Sequence, residues 1–185
     1  KGETVGMEWF MRAAEHGHSG AQYDLGLGFL HGRGIEMSEP RAVHWFDKSA
    51  LQGNVKAQNK LGSMYRNGQG VPKDAKRAVE LYTKASEQGY TEAHLNLGIM
   101  YENGLGVLKS MTRAVEMYTQ AATMGHAGAQ NRLGLIHGNG LGVAKDEFLA
   151  VKWCSKAVEQ GHSGAQFNLA VMHTHGRGVP IDEAC

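Results

Sequence analysis

Cysteine, proline and one-sided charge are all scarce in this chain. Its two cysteines, Cys154 and Cys185, form no CxxC pair and no disulfide ladder, which excludes a small disulfide-stapled fold and favours a reducing compartment over an oxidising one. Nineteen basic against 18 acidic side chains leave a formal charge of +1. No net field therefore draws the chain to nucleic acid or to an anionic membrane. No stretch approaches the roughly 18 consecutive apolar residues of a transmembrane helix, so no direct membrane insertion is expected of this segment. Three prolines contrast with 26 glycines in 185 residues. The length suits one ordinary globular domain with a sizeable core. The glycine excess is either low complexity or a repeated turn, and the positions of the glycines decide which.

Shifted by 36 residues, the chain matches itself. Gly17, Gly53, Gly89, Gly125 and Gly161 share one register, as do Ala21, Ala57, Ala93, Ala129 and Ala165, and Leu25, Leu61, Leu97, Leu133 and Leu169. Two more glycine columns start at Gly32 and Gly34, and a fourth runs Gly26, Gly62, Gly98, Gly134 before Ala170 replaces it. These columns hold 19 of the 26 glycines, so glycine here is punctuation. A strict period of this length is the signature of a stacked array. Residues 1–185 read as a single array: a partial repeat at 1–16, full repeats at 17–52, 53–88, 89–124 and 125–160, and a partial repeat at 161–185. Both ends fall inside a repeat, as in a piece of a longer array.

Each period resolves into two helices. In the third copy, Ala93, Leu97, Gly98, Ile99 and Tyr101 recur at helical spacing up to a stop at Asn103-Gly104. Gly104 and Gly106 then make a turn that needs positive φ. Ala114, Met117, Tyr118, Ala121 and Ala122 mark a second amphipathic helix ending near Gly125. Pro40 falls near the start of such a helix, where its missing N–H costs little. No window alternates with period two, so the fold is expected to be all-α, a right-handed α/α superhelix of helix–loop–helix repeats. Small residues at Ala21, Gly26 and Ala42 and their counterparts let helices approach closely. The expected fillers are the leucine column, then Phe29, Tyr65 and Tyr101, and then Trp9, Trp45, Leu81, Met117 and Trp153.

The best single copy runs from Ala57 through Leu61-Gly62, Tyr65, Gly68, Gly70-Val71 and Asp74 to Ala78, Lys84-Ala85 and Glu87-Gln88-Gly89. This pattern resembles the Sel-1-like repeat, a tetratricopeptide-like family, and the resemblance covers essentially the whole chain. It implies a non-enzymatic adaptor or scaffold. Local departures are His137 and His173 in place of the first-helix aromatic, and Ser38 and Ser110 in place of the loop aspartate seen at Asp74, Asp146 and Asp182. Cysteine-rich relatives, to which penicillin-binding or β-lactamase activity has been attributed, carry regular cysteine pairs that are missing here.

Chemistry is sparsely signalled. No Walker pattern occurs, and the G-x-G pairs follow a helix where a nucleotide fingerprint would follow a strand. His137 and His173 either bring two imidazoles to one ion or each stand in for an aromatic body. No carboxylate or cysteine at matching spacing completes a ligand set, so no metal and no cofactor are expected. His18, His126 and His162 share a column near a helix start and read as solvated. Cys154 occupies the column of Phe46, Tyr82 and Tyr118, as a buried small hydrophobe would. No catalytic residue is assigned.

In tetratricopeptide-like arrays the first helices line the concave side. The columns there that vary between copies are Tyr23, Asn59, Leu95, Asn131 and Phe167, then Asp24, Lys60, Asn96, Arg132 and Asn168, with Leu27, Ser63, Ile99, Leu135 and Val171 one turn on. Asparagine amides suit a peptide backbone, and Lys60 and Arg132 suit a carboxylate. The expected partner-binding residues are Tyr23, Asn59, Lys60, Leu95, Asn96, Asn131, Arg132, Phe167 and Asn168, set against the plainer reading of a solvated face. Arg41, Arg77 and Arg113 with Glu80 and Glu116 read as ordinary helix-surface charge. The expected function is a scaffold for a protein or peptide partner. The alternative is a regulatory segment of a larger enzyme or signalling protein. Homotypic stacking through the last repeat is a further expectation.

Overall fold

The computed structural model describes residues 2–178; Asp182 and Cys185 lie outside them. Among the described residues it holds ten α-helices and no strand. Helix α1 (Gly2–Glu15) precedes four helix pairs: α2 (Ser19–His31) with α3 (Glu39–Leu51), α4 (Val55–Asn67) with α5 (Ala75–Glu87), α6 (Thr91–Asn103) with α7 (Met111–Thr123), and α8 (Ala127–Asn139) with α9 (Glu147–Glu159). Helix α10 (Ser163–Thr174) follows. The chain divides into two compact units. The first holds α1 to α5 with residues 91–93 and 105–107; the second holds residues 94–104 and α7 to α10.

Periodic local chemistry ends and starts each helix. Gly32, Gly68 and Gly140 sit just past α2, α4 and α8 in the left-handed region, φ 68–74°, and their N–H groups return to the last turn. The second turn glycine answers a different demand. A Cβ on Gly70 would lie 2.7 Å from the Glu39 carbonyl at the start of α3. Gly106, Gly142 and Gly178 are similarly tight against Ala75, Met111 and Glu147. Each loop thus rests on the second helix of the repeat before it. Helix starts are capped by side chains: Asp74, Ser110 and Asp146 accept from backbone N–H groups of α5, α7 and α9 at 2.8–3.3 Å. Ser110 therefore caps as the aspartates do, while Ser38 makes no such bond.

The histidine column, exposed at His18 and partly exposed at His126 and His162, also caps helices. His18, His126 and His162 cap α2, α8 and α10, each accepting from the backbone N–H three residues on through Nδ1, at 3.1, 3.3 and 3.1 Å. Asn54 does the same for α4 through Oδ1, at 3.1 Å. One column therefore accepts two chemistries, because a ring nitrogen and an amide oxygen reach the same donor.

In both units the core is built from one recurring insertion. The alanine column is buried as expected, and so is the leucine column up to Leu133, with Ala57, Leu61, Ala129 and Leu133 fully so and Leu169 only partly buried. The main filler is the column one residue beyond the tryptophans: Phe46, Tyr82, Tyr118 and Cys154 are 0–1% exposed. Trp9 is 64% exposed, and Trp45 and Trp153 lie half-buried beneath the ammonium groups of Lys48 and Lys156, at 4.6 and 4.9 Å. Rings from the second helices enter the space left by the helical glycines. A Cβ on Gly26 would fall 2.7 Å from Phe46, and one on Gly62 would fall 2.8 Å from Tyr82. Gly98 meets Tyr118 and Gly134 meets Cys154 at similarly close range. A fourth buried column, Met64, Met100, Ile136 and Met172, completes the layer. At its first position Gly28 leaves room that Met7 of α1 fills.

Buried glutamines lock helix to helix. Gln22, Gln58 and Gln130, each 4% exposed, donate to the carbonyls of Ala14, Ala50 and Ala122. Their side-chain oxygens accept from Gln52, Gln88 and Gln160, at 2.7–2.9 Å. In the third repeat both members change together, to His94 and Met124. The His94 Nδ1 is buried without a hydrogen-bond partner, and burial lowers the affinity of that ring for a second proton.

Two measurements test this account. Gly62→Ala is expected to destabilise the protein by about 1–3 kcal/mol despite the better helix propensity of alanine, because the Tyr82 ring has nowhere to retreat; an unchanged melting temperature would contradict the insertion. His126→Ala is expected to cost about 1 kcal/mol, whereas His126→Asn retains the cap; equal losses in the two variants would show that the ring caps nothing.

Candidate protein-binding face

The variable first-helix columns are partly accessible in both units. In the first, Tyr23 is half-buried with its ring 5.6 Å from that of Phe46, and burial followed by the Asp24 charge raises its phenol pKa. Tyr23, Asp24, Asn54 and Lys56 line an open hollow of about 510 Å³. Asn59 and Lys60 on α4 are half-buried.

In the second unit Leu95, Asn96, Asn131, Arg132 and Asn168 are half-buried and Phe167 is 69% exposed. Leu95 and Ile99 form the apolar side of a hollow of about 300 Å³, which Glu102, Tyr118, Gly128 and Arg132 complete. The Asn168 amide donates to Asn131 Oδ1 at 2.8 Å. A second hollow, of about 160 Å³, is lined by Leu135, Asn168, Val171 and Met172 with neighbours from α9.

Arg132, half-buried, is engaged by a partner in its own chain. Its guanidinium grips Glu102 through two nitrogens, Nη2 to Oε1 and Nε to Oε2, the latter at 3.2 Å. The Tyr118 hydroxyl donates to the same carboxylate at 2.6 Å. Burial alone would raise the Glu102 pKa. The hydrogen bonds from Arg132 and Tyr118, with the charges of Arg132 and Lys109, outweigh that and lower it. Burial and the bond to Glu102 push the Tyr118 phenol far up. Glu102 and Tyr118 were missed in the sequence, although a signal was present. Glu102 and Arg132 stand 30 residues apart, as do the paired glutamines.

The second-helix arginines serve varied ends. Arg77 pairs with Glu80 at 2.7 Å, while Arg41 and Arg113 lie over the rings of Phe29 and Tyr101, each 5.6 Å from the centroid. Among the described residues no group of three or more His, Cys, Asp or Glu side chains is placed to hold a metal ion, and no helix is long and apolar enough to cross a membrane. Burial raises the pKa of the Cys154 thiol.

Comparison with known proteins places this architecture. The model of the Sel1 repeat matches residues 3–18, 19–54, 55–90, 91–126, 127–162 and 163–184. The chain belongs to the Sel1 repeat family. Its structure is similar to that of a protective antigen of uropathogenic Escherichia coli displaying an SLR fold, with a TM-score of 0.93 and 37% identity. That match covers 97% of this chain but only 38% of the antigen. A Sel1 repeat protein from Oxalobacter formigenes matches with a TM-score of 0.90 and 31% identity, over 98% of this chain and 72% of its own. An immunity protein from Pseudomonas aeruginosa matches with a TM-score of 0.60 and 25% identity, over 84% and 58%. No curated protein matches the chain. The fold is an all-α repeat solenoid, and Sel1 repeats commonly act as protein–protein interaction modules, typically non-catalytic scaffolds.

The Glu102 contacts make a signed prediction. Its folded pKa is depressed, so its stabilisation is complete above the unfolded carboxylate value of about 4.3 and is lost as pH falls through the lower folded value. Urea midpoints measured against pH are expected to drop more steeply in that acid window for wild type than for Glu102→Gln. Parallel curves would show that the carboxylate is not held as described.

Proposed function

We propose that this chain is a non-catalytic scaffold that binds a protein or an extended peptide along the face lined by its first helices. The observation that carries this reading is the contrast within each repeat. Positions facing the second helix are nearly invariant and buried, while neighbouring positions on the accessible face change freely and line the hollows at Tyr23 and at Leu95. Accessible aromatic and aliphatic groups beside amides suit a peptide, whose backbone needs hydrogen-bond partners and whose side chains need apolar contact. The immunity protein among the relatives lends support to a binding role. Within the proposed set, Tyr23, Asn59, Lys60, Leu95, Asn96, Asn131, Phe167 and Asn168 contact the partner directly. Arg132 contributes through its remaining donors while anchored on Glu102.

Affinity capture from native lysate tests the proposal, comparing wild type with a Lys60→Ala, Asn131→Ala, Phe167→Ser variant and with an Arg77→Glu, Glu116→Arg variant of equal melting temperature. Partners lost only by the first are expected. Partners lost only by the second would move the interface to the second helices and overturn this reading.

A further inference from the structure

The two hollows on the first-helix face of the second unit occupy the same register, one repeat apart. The larger, about 300 Å³, lies between residues 94–104 and α8, with Leu95, Ile99, Gly128 and Arg132 in its wall. The smaller, about 160 Å³, lies between α8 and α10, with Leu135, Gly138, Asn168 and Val171 in its wall. Ile99 and Leu135 are one period apart, as are Glu102 and Gly138, and Arg132 and Asn168. Gly138 stands where earlier copies carry Leu30, Arg66 and Glu102. Packing does not require a glycine there. A Cβ on Gly138 would meet Ala150 and Met172 at 3.4 and 3.5 Å, ordinary contact, whereas one turn earlier a Cβ on Gly134 would collide with Cys154. The missing side chain leaves the second hollow open.

In both hollows the acid is already met by cations. Glu102 is closed on Arg132 and on the Tyr118 hydroxyl. Glu147, at the rim of the second hollow, pairs with Lys145 at 2.7 Å, and the charge of Arg177 acts on it as well. A basic side chain entering either hollow would face those cations, and an acidic one would compete with a carboxylate already paired. An apolar side chain meets neither cost and finds Leu95 and Ile99, or Leu135 and Val171.

Between the hollows an amide pair bridges α8 and α10: the Asn168 amine donates to Asn131 Oδ1 at 2.8 Å. An asparagine offers two donors and two acceptor sites, so the pair keeps the Asn131 amine and the Asn168 oxygen for a peptide group. That suits a ligand whose backbone N–H and C=O groups are unspent. Packed helices lie roughly 8–10 Å apart, which sets the step from one hollow to the next. In a polyproline II segment residues i and i+3 share a face about 9 Å apart, and the backbone makes no internal hydrogen bonds. A β-strand places side chains of one face about 7 or 13 Å apart, and an α-helix has spent its backbone groups on itself.

We propose that this part of the face binds a polyproline II segment whose apolar side chains at positions i and i+3 fill the two hollows while Asn131 and Asn168 hold its backbone. This rests on the first-helix face being the binding face, and it adds the conformation and side-chain spacing of the ligand.

Fluorescence polarisation of labelled short peptides against the whole chain is the test. One peptide, of prolines and a single alanine, carries two leucines three positions apart; the second has the same composition with its leucines two positions apart. The first is expected to bind at least about tenfold more tightly, since one apolar side chain left in water costs roughly that factor or more. Gly138→Leu, which restores the residue found at Leu30, is expected to bring the first peptide down to the level of the second. Val171→Thr, which replaces a methyl by a hydroxyl at nearly constant size, is expected to weaken the first peptide and leave the second unchanged. If Gly138→Leu melts below wild type, Val171→Thr decides the matter. Asn131→Ala with Asn168→Ala is expected to weaken both peptides by about tenfold. Equal binding of the two peptides overturns the inference, as does a preference untouched by Gly138→Leu and Val171→Thr. Full affinity in the double asparagine variant overturns the backbone contact. Failure of both peptides also overturns the inference, and the lysate capture then reports separately on the face.

Discussion

The insertion of a second-helix side chain against a helical glycine is the constraint on which the rest of this structure depends. Phe46, Tyr82, Tyr118 and Cys154 occupy space that a single Cβ on Gly26, Gly62, Gly98 or Gly134 would take. Close approach of the helix pair lets the alanine columns meet and puts the leucines in a dry interior. Glycine within a helix is unfavourable by about 0.5–1 kcal/mol relative to alanine. Burial of a full aromatic ring, worth about 1.5–3 kcal/mol relative to exposure, outweighs that penalty. The pairing also tolerates a change of volume: at Gly134 a thiol replaces the ring, and Met172 approaches Gly138 of the same helix.

Around this insertion each repeat is tied together by polar contacts that leave few loose ends. Caps from His, Asn, Asp and Ser satisfy the first N–H groups of the helices, and the glutamine pairs bridge successive helices from within the core. A buried amide with both ends engaged specifies register as well as adding stability. The joint replacement at His94 and Met124 shows the two members behaving as one feature.

Function in such an array lives in the departures from the period. Where the repeat demands a small or apolar residue, the copies agree. Where it demands nothing, one copy presents Tyr23, another Lys60, another Leu95 and another Arg132. The same fold therefore offers a closed ion pair at Glu102 and an open hollow at Gly138, using one register with different side chains.

The all-helical class, the period, the helix stops at glycine and the buried alanine and leucine columns were legible in the sequence, because each follows from backbone geometry that repeats identically. The variable face was legible as a set of columns. Its internal partnerships were not: Arg132 looked available until Glu102 was seen to hold it, and nothing in the pattern announced that the accessible histidine column caps helices. The tryptophans looked like core because their size suggested it, whereas one step along the helix, about 100° of rotation, gives the deep interior to Phe46 and Tyr82 and leaves Trp45 half-buried, while the smaller Leu81 of the same register is buried. Periodicity in a sequence determines which residues are equivalent. Which of them face inward, and which distant side chain each one meets, depends on helix rotation and on contacts between successive helices, and only the tertiary structure decides those.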